Sequence, residues 1–113
     1  MAIALLGMQT LPALAQPNPY QAMRNALYTQ AERTIVDGEV LRILDLVGLR
    51  ANQLRLLRNA IFARHGRTFA TPQLQAYFNS RPWYRPHADY SDDQLSPVDK
   101  RNIKIVQAAE LSL

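Results

Sequence analysis

Arg50-Ala-Asn-Gln-Leu54-Arg55-Leu56-Leu57-Arg58-Asn59-Ala60-Ile61-Phe62-Ala63-Arg64-His65-Gly66 is the stretch on which the fold turns. At roughly 100° per residue, Leu54, Leu57 and Ile61 fall on one narrow apolar stripe, and Leu56, Ala60 and Ala63 widen it on one side. Arg58, Phe62 and His65 run along the other edge, while Arg55 and Asn59 point away. The pattern predicts an amphipathic helix from about residue 50 to 65. Gly66, directly after two basic residues, predicts its end: glycine adopts the left-handed turn without penalty, and cations face the negative pole of the helix dipole.

C-terminal to this helix, Thr71-Pro72 reads as an N-cap followed by proline at the first helical position. The helix it opens carries Leu74, Tyr77 and Phe78 on one side and ends before Arg81-Pro82. Trp83-Tyr84-Arg85-Pro86 is an aromatic loop pinned between prolines, and His87–Gln94 is polar and irregular. Ser96-Pro97-Val98-Asp99 repeats the capping logic with an acid in the first turn. The last helix then runs to about Leu111, with Val98, Ile103, Val106 and Ala109 or Glu110 expected on its inner face.

On the N-terminal side, Glu39–Val47 is apolar enough for a short helix or a strand, and helix is favoured. Asp37-Gly38 marks a turn. Tyr20, Met23, Ala26, Leu27 and Ala31 recur at helical spacing and predict a short, marginal helix over Tyr20–Arg33, preceded by a Gln16-Pro-Asn-Pro19 linker. Residues 1–15 are apolar, broken by Pro12 and closed by Ala13-Leu14-Ala15, the small-x-small pattern of a signal-peptidase site. They are expected to be a cleaved signal peptide, although no Lys or Arg opens the segment; an apolar helix packed on the core is the alternative. The run is shorter than the roughly 20 residues of a bilayer span, so no membrane span is expected in the mature chain. The expected organisation is mainly α: a small single-domain helical bundle with an aromatic loop. Residues 1–15 form the signal peptide, 16–47 an N-terminal helical and linker segment, and 48–111 the helical domain.

The chain has 113 residues, thirteen Lys and Arg against nine Asp and Glu, a net charge of +4, and no cysteine. The lack of cysteine excludes disulfides, thiol catalysis and cysteine-ligated metal. Four glycines in all make a phosphate-cradling cofactor loop improbable. A mild basic bias suits an anionic partner, and in an exported protein that means envelope polymer or lipid rather than nucleic acid.

Phe62-Ala63-Arg64-His65-Gly66 differs by one letter from Tyr-Ala-Arg-His-Gly, the motif that names the YARHG domain. Leu54 to Ile61 leads into it. Phe69, Leu74, Tyr77-Phe78, Trp83-Tyr84, Leu95, Asn102-Ile103 and Ile105 follow in order. On these residues the chain resembles that family over about 48–110. The resemblance implies a small extracytoplasmic bacterial module with no established activity, periplasmic or at the cell surface. Phe62 stands where the family motif has tyrosine, so no phenol acts there, and residues 20–47 lie outside the match.

Arg58, Arg64, His65, Trp83 and Tyr84 are the candidate binding residues: guanidinium forks and an imidazole for an anion, two aromatics as a stacking platform. Asn59, Phe62 and Gly66 are the structural part of the motif. For Arg64 and His65 the structural reading is favoured, because anions prefer helix N-termini and this is a C-terminus; both are expected to cap carbonyls of the last turn. Arg58 is expected to pair with Glu110 or Asp99. Trp83 and Tyr84 are expected to be core. No metal site is expected, since Asp89-Tyr90-Ser91-Asp92-Asp93 lacks the glycine and glutamate of a calcium loop and His65 lacks a partner at zinc spacing. With no catalytic signature and no cofactor, the expected function is a noncatalytic module holding peptidoglycan or another anionic wall component. The alternatives are an accessory partner of an envelope protein and, more remotely, a wall hydrolase using His65 as base.

Overall fold

The computed structural model describes residues 18–113; the signal-peptide reading of residues 1–15 lies outside them. Among the described residues four α-helices follow one another: α1 Pro19–Val36, α2 Ala51–Ala63, α3 Pro72–Asn79 and α4 Pro97–Leu111. Short 3-10 turns occur at Ile43–Leu46 and Asp92–Gln94, and no strand occurs among the described residues. The molecule is therefore mainly helical, as the spacing predicts.

The central element is α2, which packs against both α1 and α4. Its stripe Leu54, Leu57, Ala60, Ile61 and Ala63 is buried, while Leu56 is only half-buried. Each large side chain on that stripe contributes about 2 kcal/mol of apolar burial. The helix stops as expected, with Gly66 at φ +94° and its amide donating to the Ala63 carbonyl at 2.8 Å. An added Cβ there would lie 2.5 Å from His87 Cδ2 and 2.8 Å from the Arg85 carbonyl oxygen, so glycine also admits the aromatic loop. His87 N donates to the Gly66 carbonyl at 2.9 Å and locks that approach.

Helix α1 is longer than the predicted 20–33 and packs differently. Asn18 Oδ1 accepts from the Tyr20 amide at 2.8 Å and Pro19 occupies the first turn. Only the C-terminal half is buried, through Ala31, Glu32 and Ile35, with Leu27 and Tyr28 beside them. Tyr20 and Met23, part of the apolar spacing that predicts the helix, are exposed. In their half of the helix Gln21, Arg24 and Asn25 face the first turn of α2 instead.

Glu39–Val47 is not the helix favoured above. It is extended except for the single turn Ile43–Leu46, and Leu41, Leu46 and Leu49 are buried one at a time while Ile43, Leu44 and Val47 face outward. Such spacing fits neither a helix nor a strand face. What holds the extended backbone is a side chain: Asn102 Oδ1 accepts from the Leu41 amide at 2.9 Å, and Asn102 Nδ2 donates to the Glu39 carbonyl at 2.8 Å. A buried asparagine thereby does what a neighbouring strand would do.

Phe78 of α3 is fully buried at the centre of an aromatic cluster. Phe69 stacks on it at 4.9 Å, and Tyr77, Trp83 and Tyr84 surround it at 5.0–5.9 Å between ring centroids. Helix α4 opens with the expected capping box: Asp99 N donates to Ser96 Oγ at 3.0 Å and Ser96 N to Asp99 Oδ2 at 2.8 Å. Its inner face departs from the expected one. The buried residues are Asp99, Asn102, Val106 and Ala109, at i, i+3, i+7 and i+10, while Val98, Ile103 and Glu110 are half-buried.

Candidate functional site

The C-terminus of α2 and the N-terminus of α4 meet at Asp99, which is 1% exposed. Arg64 Nε donates to Asp99 Oδ1 at 2.9 Å, His65 Nε2 lies 2.7 Å from Oδ2, and the Ser96 amide donates to the same oxygen. Burial alone pushes the Asp99 carboxyl up. The bonds from Arg64, the Ser96 amide and His65 outweigh it and hold the pKa below the ordinary carboxylate range. Arg64 and His65 therefore do not cap the last turn of their own helix. The one carbonyl Arg64 reaches beyond its own segment is that of Val36, the last residue of α1, at 3.3 Å from Nη1. One arginine thus fastens the ends of three helices.

Arg58, two turns earlier on α2, forms a fork with Glu110 of α4: Nε to Oε1 at 2.7 Å and Nη2 to Oε2 at 3.3 Å. Of the two carboxylates considered from sequence, Glu110 is the partner. The side chains are 32% and 25% exposed, so water still reaches the pair. Asn59 Nδ2 donates to the Arg55 carbonyl at 2.9 Å, and Phe62 lies 4.9 Å beneath the Arg67 guanidinium.

A third charged centre carries no sequence expectation. Glu32 of α1 is 4% exposed, yet four side chains converge on it. Tyr28 and Tyr77 hydroxyls donate to Oε2 at 3.0 and 2.5 Å, and Arg81 and the Trp83 indole N–H (3.4 Å) donate to Oε1. The Tyr28 and Tyr77 hydroxyls also lie within hydrogen-bond distance of each other, and with one proton apiece the pair shares Oε2 and this contact. Burial, then the bond to Glu32, pushes Tyr77 up to about 12, and burial first also raises Tyr28. The signal for this centre was in the spacing: Tyr28, Ala31, Glu32 and Ile35 form one i, i+3, i+4, i+7 face with an acid in its middle.

The five residues selected from sequence do not form one surface. Arg58 pairs with Glu110, Arg64 and His65 with Asp99; Trp83 is half-buried over Glu32; Tyr84 is 6% exposed with its hydroxyl donating to the Arg67 carbonyl at 2.7 Å. Ser96, His65 and Asp99 lie together but not in a catalytic relay, because Ser96 Oγ accepts from the Asp99 amide rather than meeting the imidazole. Among the described residues no cluster of His, Asp or Glu suits a metal, and no helix is long and apolar enough to cross a membrane.

Among the surface cavities of the described residues, two differ sharply in chemistry. An open pocket of about 360 Å³ between the first turns of α1 and α2 is lined by Asn18, Gln21, Arg24, Asn25, Arg50, Asn52 and Gln53. An apolar groove of about 270 Å³ runs from Ile43, Leu46 and Val47 to Ala109 and Leu113.

The sequence profile of the YARHG domain matches residues 41–111, beginning seven residues before the stretch that carries the resemblance by motif. The chain is also similar to a crystal structure from Legionella pneumophila, that of a candidate nutrient-binding protein (lpg2210). The identity is 32% and the TM-score 0.59, over 76% of this chain and 26% of that one. The chain thus spans about a quarter of that protein's length. No curated protein matches.

Proposed function

Given that the chain belongs to the YARHG domain family, a family of unknown function, we propose that it is a noncatalytic extracytoplasmic module that holds an anionic component of the bacterial envelope, peptidoglycan foremost. Its extracytoplasmic placement rests on the family resemblance and on the cleavage pattern of residues 1–15.

One observation carries the reading. Arg42, Arg58, Arg64 and Arg81 are matched one to one by Asp45, Glu110, Asp99 and Glu32. That leaves nine of the thirteen cations, but only five of the nine acids, outside ion pairs. Three of those five acids, Asp89, Asp92 and Asp93, lie in one short loop. Outside that loop the nine cations stand against only Asp37 and Glu39, so the chain's net charge of +4 is unevenly spread, and the cationic part attracts a polyanion over about one Debye length. The motif's own cations are spent on internal carboxylates, so they support the fold rather than the ligand.

The test is co-sedimentation of the chain with purified sacculi across a salt series. Retention at about 20 mM salt and release as ionic strength rises past about 0.2 M is the expected result, because surface ion pairing is screened over that range. A chain that stays in the supernatant at low salt ends this reading.

A second reading, an accessory partner of another envelope protein, is favoured by the apolar groove. Ile43, Val47 and Leu113, which line it, are 49–70% exposed. In that case the module docks on a neighbouring protein or domain, and sacculi bind only through that neighbour.

A further inference from the structure

We propose that the pocket between the first turns of α1 and α2 is a binding site for an acidic sugar unit, with its carboxylate or phosphate on Arg24 and Arg50. The proposal rests on the anionic-envelope reading above and names the site and ligand chemistry for it.

The polarity of the lining carries the argument. No carboxylate lines the pocket, and neither Arg24 nor Arg50 belongs to an ion pair among the described residues. Two of the five amides are already oriented by the backbone. Asn18 Oδ1 accepts from Tyr20 N at 2.8 Å and Gln53 Oε1 accepts from Arg50 N at 3.0 Å. These bonds orient each amide, leaving its NH₂ as a donor for a ligand while the oxygen keeps one lone pair. Two guanidiniums and two oriented NH₂ groups make a donor surplus, which demands an acceptor-rich, anionic partner. Gln21, Asn25 and Asn52 add amides that can both give and accept, the requirement of ring hydroxyls and acetamido groups.

The absence of any aliphatic or aromatic side chain from the lining argues against a peptide, which would need an apolar anchor. At about 360 Å³ the pocket lies at the lower end of the roughly 300–1,000 Å³ of ligand clefts.

The test is NMR titration of the full chain with three ligands that share one ring: N-acetylmuramic acid (carboxylate), N-acetylglucosamine 1-phosphate (phosphate) and N-acetylglucosamine (neutral). One or both acidic sugars should move the side-chain NH₂ signals of Asn18 and Gln53 saturably, and whichever binds more tightly identifies the source of the anion. The neutral sugar should bind at least about tenfold more weakly, and R24A/R50A should lose about tenfold or more for the acidic ones, the effect of removing a charged hydrogen bond. Equal affinity for neutral and acidic sugars, or unchanged shifts in R24A/R50A, overturns the proposal. Sacculus binding separates the two levels. If R24A/R50A is retained as well as the parent chain, the pocket is wrong and envelope binding stands. If acidic sugars bind the pocket while sacculi are not retained, the site stands and envelope binding falls.

Discussion

Replacing Asp99 by asparagine keeps the size of the side chain and removes its charge at the point where α1, α2 and α4 are fastened. In the native chain the carboxylate accepts from Arg64 at 2.9 Å, from the Ser96 amide at 2.8 Å, and pairs with His65 at 2.7 Å. An amide offers one acceptor oxygen and turns an NH₂ toward the remaining donors. Breaking a buried ion pair on one side costs about 3–5 kcal/mol. Arg64 and His65 are each 19% exposed and recover part of their hydration, which places the loss near the lower end, at about 3 kcal/mol. For a domain whose total stability is about 5–15 kcal/mol, that is a large share. With a urea slope of about 1–1.5 kcal/mol/M, the midpoint should fall by about 2–3 M at pH 7, read from Trp83 fluorescence. The pH dependence supplies an independent check. The Asp99 pKa is depressed in the folded state, so its stabilisation is full above the unfolded value of about 4 and is lost as pH falls through the folded pKa. The gap between native chain and D99N should therefore narrow below pH 4. A midpoint shift under about 0.5 M, or a gap that is constant from pH 7 to pH 3, would refute the view that this carboxylate fastens the helices.

Gly66→Ala combines a positive φ with a Cβ pressed against the Arg85 carbonyl and His87, and should cost at least about 2 kcal/mol, lowering Tm by about 10 °C in calorimetry. Arg58→Met should cost no more than about 1 kcal/mol, because the Arg58–Glu110 pair is partly hydrated and methionine retains the apolar stem; a loss above about 2 kcal/mol in urea unfolding would mean that the pair is effectively buried. Absorbance titration near 295 nm should show that the Tyr77 hydroxyl stays protonated in the folded protein to about pH 12, and Tyr77→Phe should remove that late step. Leu57→Ala, at a fully buried position on the α2 stripe, should cost about 3 kcal/mol by the same unfolding assay.

Much of the helical framework was legible because its signals are local. The stripe of α2, the glycine stop at Gly66, and the Ser96-Pro97-Val98-Asp99 cap each depend on residues within four positions of one another, and each has the expected geometry. The failures have one cause. Tyr20 and Met23 have helical spacing but lie on the exposed side of α1, and Glu39–Val47 has apolar content but takes its backbone partner from Asn102, about sixty residues away. The site was less legible than the fold. Arg64 and His65 were read as capping their own helix because the macrodipole argument is local, whereas a buried carboxylate on another helix is a stronger partner for a guanidinium than a carbonyl is.

The order of elements, their caps and the apolar face of α2 follow from the amino-acid sequence itself, since backbone sterics and helical periodicity act over one or two turns. Which charges face solvent and which are neutralised inside was decided only by tertiary packing. Asp99, Glu32 and Glu110 lie from 35 to 52 positions away from the arginines that hold them, and only the folded chain reduces those separations to hydrogen-bond distance. Burial in a low dielectric then makes a partner necessary for Asp99 and Glu32, because a charge left unpartnered there would cost a large share of the domain's stability, whereas the partly hydrated Arg58–Glu110 pair carries no such demand.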